Sequence, residues 1–198
     1  MKKLCFLVFT SSVTLAQCLY AQTENRNSVS AGYGVLTVQD VATFVTDIII
    51  SPVTLDAVSV TNIRSSGVMF IEYSHFFDSH WRIVANANYS VLKSDFVYAS
   101  DQSSYGTGTD QYSTLMAGVN YHWFIHPTVE LYSGVQIGGS YVHSKQTYTT
   151  GDNATNNSFA FAFQVTPIGV RFGKAFGGFT ELGIGYKGLI CAGVDYRF

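Results

Sequence analysis

The sequence predicts an all-β fold: an eight-stranded antiparallel up-and-down transmembrane β-barrel with short periplasmic turns and longer extracellular loops. Three observations predict it. Only 12% of the 198 residues are charged and 15% are aromatic, whereas about a quarter of the residues in a soluble domain are charged. Apolar and polar residues alternate over segments of about ten residues, as in a strand with two different faces. The connections between these segments are short and long in turn, except for a short seventh connection around Lys187 and Gly188, and this pattern is typical of outer-membrane barrels.

The N-terminal residues 1–21 predict a signal peptide. Two lysines precede an apolar stretch that runs to about Ala16, and small residues then lead to a cleavage site after Ala21. One alternative is a membrane anchor, for which the stretch is short and diluted by serine and threonine. The other is lipidation at Cys18, which follows a glutamine where that motif has a small residue. We expect residues 22–198 to form the barrel domain.

The first two segments cover residues 28–38 and 66–77. In the first, valine, alanine and Tyr33 alternate with serine and glycine, and in the second, Ile71 and its apolar neighbours alternate with Glu72 and Ser74. Each pattern gives one apolar and one polar face, and residues 77–80 form a short turn after the second segment.

The third and fourth segments, residues 81–92 and 111–124, have the clearest alternation. Trp81 begins a face that continues through isoleucine, alanine, tyrosine and valine, opposite Arg82 and several asparagines. Trp123 ends the matching apolar face of the fourth segment. A short turn containing Pro127 separates it from the next segment.

The fifth and sixth segments are residues 128–142 and 158–173. The fifth sets valine, leucine and isoleucine against Glu130, glycine and glutamine. The sixth changes phase at Pro167, and a proline within a strand predicts a β-bulge.

The last two segments are residues 179–187, with Tyr186 on the apolar face, and a final strand that ends at Phe198. Apolar residues occupy every second position up to that last residue, opposite Asp195 and Arg197. Chain ends are usually polar and frayed. An alternating end therefore predicts that the final strand pairs with the first, near residues 28–35, and closes the barrel without a free edge.

The charged residues of these segments all fall on the polar face, which we expect to face the barrel interior. An arginine or lysine facing lipid would cost about 2–4 kcal/mol at mid-membrane, and an eight-stranded interior is just wide enough for side chains to fill. The predicted interior network comprises Glu72, Arg82, His122, Glu130, Arg171, Glu181, Lys187, Asp195 and Arg197. The turn positions predict cross-strand partners within it: Glu72 with Arg82, His122 with Glu130, Arg171 with Glu181, and Glu181 beside Asp195 and Arg197.

Aromatic residues cluster at the short-turn end of the strands. Such residues form girdles where lipid meets water. We predict four membrane-interface aromatics: Trp81, Trp123, Tyr196 and Phe198.

Three long connections, residues 39–65, 93–110 and 143–157, are predicted extracellular loops and candidate contact sites for an extracellular partner. The first contains an amphipathic pattern that predicts a short helix with Asp40 as its N-cap and Pro52 beyond its end. This helix would either fold over the barrel mouth or lie in the outer leaflet against lipid or a partner.

The terminal Tyr196-Arg197-Phe198, the signal peptide and the eight segments resemble small outer-membrane barrels of the OmpA/OmpX type. Residues 164–171 and 180–198 are similar to barrel domains of Bacteroidetes-type bacteria. The resemblance covers most of the mature chain. It implies a location in the outer membrane of a Gram-negative cell, surrounded by outer-membrane lipid and lipopolysaccharide, and a C-terminal strand that barrel-assembly machinery reads.

These patterns predict a structural or surface-display role in envelope integrity, adhesion or host contact, with the interior network as a plug. A narrow channel for ions or small solutes is the first alternative. An envelope enzyme is the second, and it would require His143 beside an aspartate and a serine of the loops. We expect no catalytic, metal or cofactor site, and a net charge of −2 gives no basic surface for nucleic acid.

Overall fold

The computed structural model describes residues 26–40, 58–98, 104–149, 151 and 153–198. The predicted signal peptide, Cys18 and most of the predicted helix in the first connection lie outside these residues.

Eight antiparallel strands form a closed barrel in chain order. They are β1 (Asn27–Val35), β2 (Val58–Phe76), β3 (Trp81–Tyr98), β4 (Ser104–His126), β5 (Val129–Tyr148), β6 (Asn153–Gly173), β7 (Phe176–Gly185) and β8 (Ile190–Arg197). The predicted fold class is confirmed.

The two ends of the chain form the seam of the barrel. Strand β8 pairs with β1 from Ser28 opposite Arg197 to Val35 opposite Ile190. The backbone N–H of Phe198 also donates to the carbonyl of Asn27 at 2.9 Å. The alternation that continues to the last residue is therefore the alternation of a paired strand, as predicted.

The strands differ in length by more than a factor of two. β1, β7 and β8 contain 8–10 residues, whereas β2 to β6 contain 18–23. About 9–11 residues are enough to cross a bilayer as a tilted strand. Five adjacent strands thus continue well beyond the short wall formed by β7, β8 and β1.

This continuation corrects the bounds of the predicted loops. Much of 93–110 and of 143–157 is strand, and β2 begins at Val58, within the predicted 39–65 connection. The extensions are rich in threonine, tyrosine and serine, and each pairs with a neighbouring strand over its whole length. Tyrosine and threonine fit a pleated sheet well. The polar residues that were predicted to form loops therefore continue the paired strands of the hairpins instead.

Turns at the opposite end are short: 77–80, 127–128 and 174–175. The connection between β7 and β8, residues 186–189, is also short, as predicted. Tyr186 lies in this turn, where it is buried against Met116 and Ala162. The prediction that Tyr186 faces outward on β7 was therefore wrong, because β7 ends at Gly185 and the turn redirects the chain inward.

Two local predictions concern backbone irregularities. The register between β6 and β7 shifts between Val165 and Ile168, around Pro167, which confirms the bulge. A helical turn begins at Val38, but Thr37 is its N-cap: the Thr37 N–H donates to Asp40 at 2.8 Å, and the Asp40 N–H donates to the Thr37 hydroxyl at 3.2 Å. Asp40 therefore occupies the N3 position of a capping box rather than the N-cap.

Among the described residues, no helix has the length and apolar character needed to cross a bilayer.

Candidate functional site

The nine residues predicted for the interior network all point into the barrel. Eight of them are buried, and the ninth, Arg197, is half-buried, with its side chain 11% exposed. Alternation explains this placement, because successive side chains of a strand point to opposite faces. The four acids and four bases carry balanced formal charges, with His122 as the ninth member.

One group of contacts centres on Lys187 and is called the Lys187 cluster below. The Lys187 Nζ lies 2.8 Å from Glu181 Oε2 and 3.1 Å from Glu72 Oε2. Gln136 donates to Glu72 at 3.0 Å, and the Tyr132 hydroxyl donates to Glu181 at 2.8 Å. One cation thus holds two carboxylates, and neutral donors satisfy further acceptor positions of both.

The turn between β7 and β8 inserts Lys187 into the barrel. The Lys187 N–H donates to Gln164 Oε1 at 2.9 Å, and Gln164 Nε2 donates to the Gly188 carbonyl at 3.2 Å. Gly188 has a φ of 113°, in the region that favours glycine. A buried glutamine and a glycine with positive φ thus hold the turn that aims the lysine.

A second group, the Glu130 cluster, lies toward the short-turn end. Arg197 donates from both terminal nitrogens to the two oxygens of Glu130, with Nη2–Oε2 at 2.6 Å. His122 Nδ1 lies 3.1 Å from Glu130 Oε2. The Arg171 Nε lies 2.8 Å from both oxygens of Asp195. Paired guanidinium–carboxylate contacts of this kind are strong and fix orientation.

Arg82 lies between the two clusters. It donates to the Ser28 hydroxyl at 2.6 Å, and its guanidinium sits 4.6 Å from the centre of the Phe76 ring. No carboxylate of the described residues lies within 4 Å of its nitrogens. Beside it is a cavity of about 10 Å³, also lined by Glu72 and Glu181, which is about the smallest volume that can accommodate one water molecule.

Several predicted partners differ from those observed. Glu72 pairs in register with Asn86, and Arg82 pairs with Phe76, so the predicted Glu72–Arg82 pair was wrong. The four-residue turn 77–80 places the hairpin centre near Ser79 rather than Phe77.

The other predicted pairs give a mixed result. Arg171 binds Asp195 rather than Glu181, which binds Lys187 instead. Glu181 pairs in register with Cys191, not with Asp195 or Arg197. The contact between His122 and Glu130 is present.

Residues outside the nine predicted positions complete the network. Gln136 and Gln164 lie on the polar faces of β5 and β6, so alternation could have identified them. Tyr132 lies two residues after Glu130 on the same strand, so alternation could have placed it in the interior as well. The hydroxyl pair Ser28 and Ser74, 2.8 Å apart, likewise carries no sequence signal beyond alternation.

The outer surface has the opposite character. Along the middle of the strands it consists of exposed apolar side chains such as Ile71, Leu115 and Ile137. The four predicted interface aromatics, Trp81, Trp123, Tyr196 and Phe198, are exposed near the short-turn end. Tyr33, Tyr89 and Tyr141 are exposed nearer the opposite end of the apolar belt. The barrel is thus apolar outside and charged inside.

The residues considered for catalysis do not converge. His143 faces outward and contacts Asn157 at 2.6 Å, whereas Asp110 and Ser144 pair in register on the other face of the sheet. Two further aspartates of the predicted loops, Asp101 and Asp152, lie outside the described residues. Within the described ranges, no group of three or more histidine, cysteine or acidic residues is arranged to hold a metal ion.

Comparisons with known proteins found similar chains among solved structures and nowhere else. No protein-family model matches the sequence, and no curated protein matches it. Among solved structures, the chain is similar to Ail, the attachment invasion locus protein of Yersinia pestis, with 16% identity over 89% of this chain and 100% of that chain and a TM-score of 0.49. Ail in complex with the heparin analogue sucrose octasulfate gives 14% identity over 87% and 97% of the two chains and a TM-score of 0.45.

Proposed function

We propose that the chain is an integral outer-membrane β-barrel with a structural and surface-display role, whose interior is plugged by the two ion-pair clusters. The inverted distribution of side chains carries this proposal. A barrel in water would gain nothing from an apolar belt such as Ile71, Leu115 and Ile137, whereas lipid favours it. The closed hydrogen-bonding seam meets the other requirement of lipid, because it leaves no unpaired strand edge within the belt.

The orientation follows from the two ends of the barrel. Short turns face the periplasm in outer-membrane barrels and longer hairpins face outward. The extended parts of β2 to β6 would therefore project from the cell. A wall of paired strands is a rigid support for surface contacts in envelope integrity, adhesion or host contact.

A charge on the outer face is costly if that face is in lipid and nearly free of cost if it is in water, so the apolar belt offers a direct test of the proposal. Replacing Leu115 by arginine is expected to reduce the free energy of unfolding in lipid vesicles by about 2–3 kcal/mol, because the charge would face hydrocarbon. Urea titration followed by tryptophan fluorescence measures it.

The matched control is Thr107→Arg on the same outward face of β4, beyond the apolar belt. Its effect should stay within about 0.5 kcal/mol, as for other surface changes. If Leu115→Arg were equally mild, the apolar belt would not be in lipid, and the membrane proposal would fail.

The plug makes a prediction about conductance. Refolded protein in a planar bilayer is expected to give no discrete openings, because buried ion pairs occupy the interior and the cavity beside Arg82 measures only about 10 Å³. Openings that disappear in Arg82→Gln or Arg171→Gln would instead establish the narrow channel.

The envelope-enzyme alternative gains no support from His143, whose described neighbour is an asparagine.

A further inference from the structure

A row of basic residues crosses the outer face of the extended strands. The register aligns Arg64 on β2 with Lys93 on β3, and the same row continues through Thr109 on β4 to Lys145 on β5 and Thr155 on β6. The three basic side chains are exposed. Strands lie about 4.8 Å apart, so the row from Arg64 to Lys145 is about 14 Å long.

The position of this row relative to the apolar belt is specific. Four residues nearer the short-turn end, the corresponding row contains Tyr89, Ser113, Tyr141 and Phe159. The row halfway between contains Val91, Gln111, His143 and Asn157. The outer face thus changes from aromatic to polar to basic within about 13 Å along a strand. Tyrosines mark the level of lipid headgroups, so the basic row lies at or just beyond that level.

The charges of the row are not balanced locally. Arg64 and Lys93 are directly opposite each other on neighbouring strands, and like charges in that position are destabilising. No carboxylate of the described residues lies within 4 Å of a side-chain nitrogen of Arg64, Lys93 or Lys145. Asp95 is on the same face but two residues further from the aromatic row. An anion between these side chains would remove the repulsion.

We propose that Arg64, Lys93 and Lys145 bind the phosphate groups of lipid headgroups in the outer leaflet around the barrel. This inference rests on the proposed membrane function, because it needs the aromatic row to lie at the lipid surface. Phosphate is a strong acceptor for arginine and lysine, and basic side chains next to a membrane are attracted to anionic headgroups. The row holds the lipid against the wall at the base of the extended strands.

Native mass spectrometry of the detergent-solubilised barrel can test the proposal. The probes are lipid A with two phosphates and its fully dephosphorylated form. The unmodified protein is expected to bind the phosphorylated probe more tightly, and each of Arg64→Gln, Lys93→Gln and Lys145→Gln should weaken that preference about fivefold. The triple variant should lose on the order of 100-fold if the three contacts are independent.

The matched control is Lys174→Gln, which removes an exposed charge at the opposite end of the barrel and should leave the preference unchanged. An equal loss in this control, or an unchanged preference in the triple variant, would overturn the proposal. Displacement of lipid A by equimolar inorganic phosphate or by heparin would assign the row to a soluble anion instead.

A separate readout distinguishes failure of this inference from failure of the membrane proposal. Heat-dependent migration in gel electrophoresis reports whether each variant forms a barrel in detergent or lipid. A folded barrel without a phosphate preference would contradict the basic row alone, whereas a chain that forms no barrel in lipid would contradict both.

Discussion

Replacing Lys187 by methionine is expected to destabilise the barrel by about 3–5 kcal/mol, the usual cost of removing one partner from a buried ion pair. Lys187 is fully buried and is the one cation within 4 Å of both Glu72 and Glu181 among the described residues. Methionine keeps most of the side-chain volume, so the change mainly leaves two carboxylates without their counter-charge. Urea unfolding in lipid vesicles measures the loss.

The triple variant Lys187→Met, Glu72→Gln, Glu181→Gln separates charge from packing. Removing all three charges together should restore most of the stability, because neutral amides are much less costly to bury than unpaired carboxylates. Lys174→Met, at an exposed turn, should change stability by no more than about 0.5 kcal/mol. If the single variant at Lys187 were as mild as this control, the cluster would contribute little to stability.

Alternation was sufficient to predict which face each interior charge occupies. The side-chain period of a strand is two, so a correct phase at one residue fixes the face of every other residue up to the next irregularity. This is why alternation assigns Glu72, Arg82 and Glu130 to one face of their strands, and the structure buries all three. It also explains the one failure, Tyr186, which lies beyond the end of its strand.

Partners were harder to predict, for two physical reasons. The register of a hairpin depends on the length of its turn, and a two-residue error at the turn after β2 moved Arg82 from its observed partner Phe76 to Glu72. The second reason is that several of the interior contacts cross the lumen. Lys187 belongs to the turn between β7 and β8, and Glu72 belongs to β2, which is paired with neither of those strands. Hairpin geometry therefore contains no information about their contact.

The basic row was missed because its strands were predicted to be loops. Serine, threonine, glycine and tyrosine occur in both adaptable loops and polar strands, so composition does not decide between them. Once β3 and β5 are known to continue past Leu92 and Val142, the same alternation rule places Lys93 and Lys145 on the outer face. The missing information was strand length, which depends on pairing with neighbours more than on local sequence.

Replacing Gly34 by alanine is expected to have the largest effect, a loss of about 4 kcal/mol or more or a failure to form the barrel. An added Cβ would lie 1.8 Å from the carbonyl oxygen of Lys187 and 3.1 Å from the Cys191 sulfur. The first of these is a backbone atom of the turn that aims the lysine, so it cannot rotate away. The turn would have to move, and the overpacking cost of about 1–3 kcal/mol would add to weakened contacts of Lys187 with its two carboxylates.

The glycine series offers a close control. At Gly178, in β7, the nearest atom to an added Cβ is the Gly193 carbonyl oxygen at 3.6 Å, an ordinary contact. Gly178→Ala should therefore leave the barrel folded and its stability nearly unchanged. Both variants can be followed by heat-dependent migration and by urea titration in vesicles.

A double-mutant cycle then tests why Gly34→Ala is harmful. If the alanine acts through the turn that carries Lys187, its effect should be clearly smaller in the triple variant without charges at positions 72, 181 and 187, because the ion pairs it would disturb are already absent. Fully additive effects would show that the clash acts only on the packing of the seam between β1 and β8. In the non-additive case, the same glycine that lets the barrel close also lets Lys187 reach its two carboxylates.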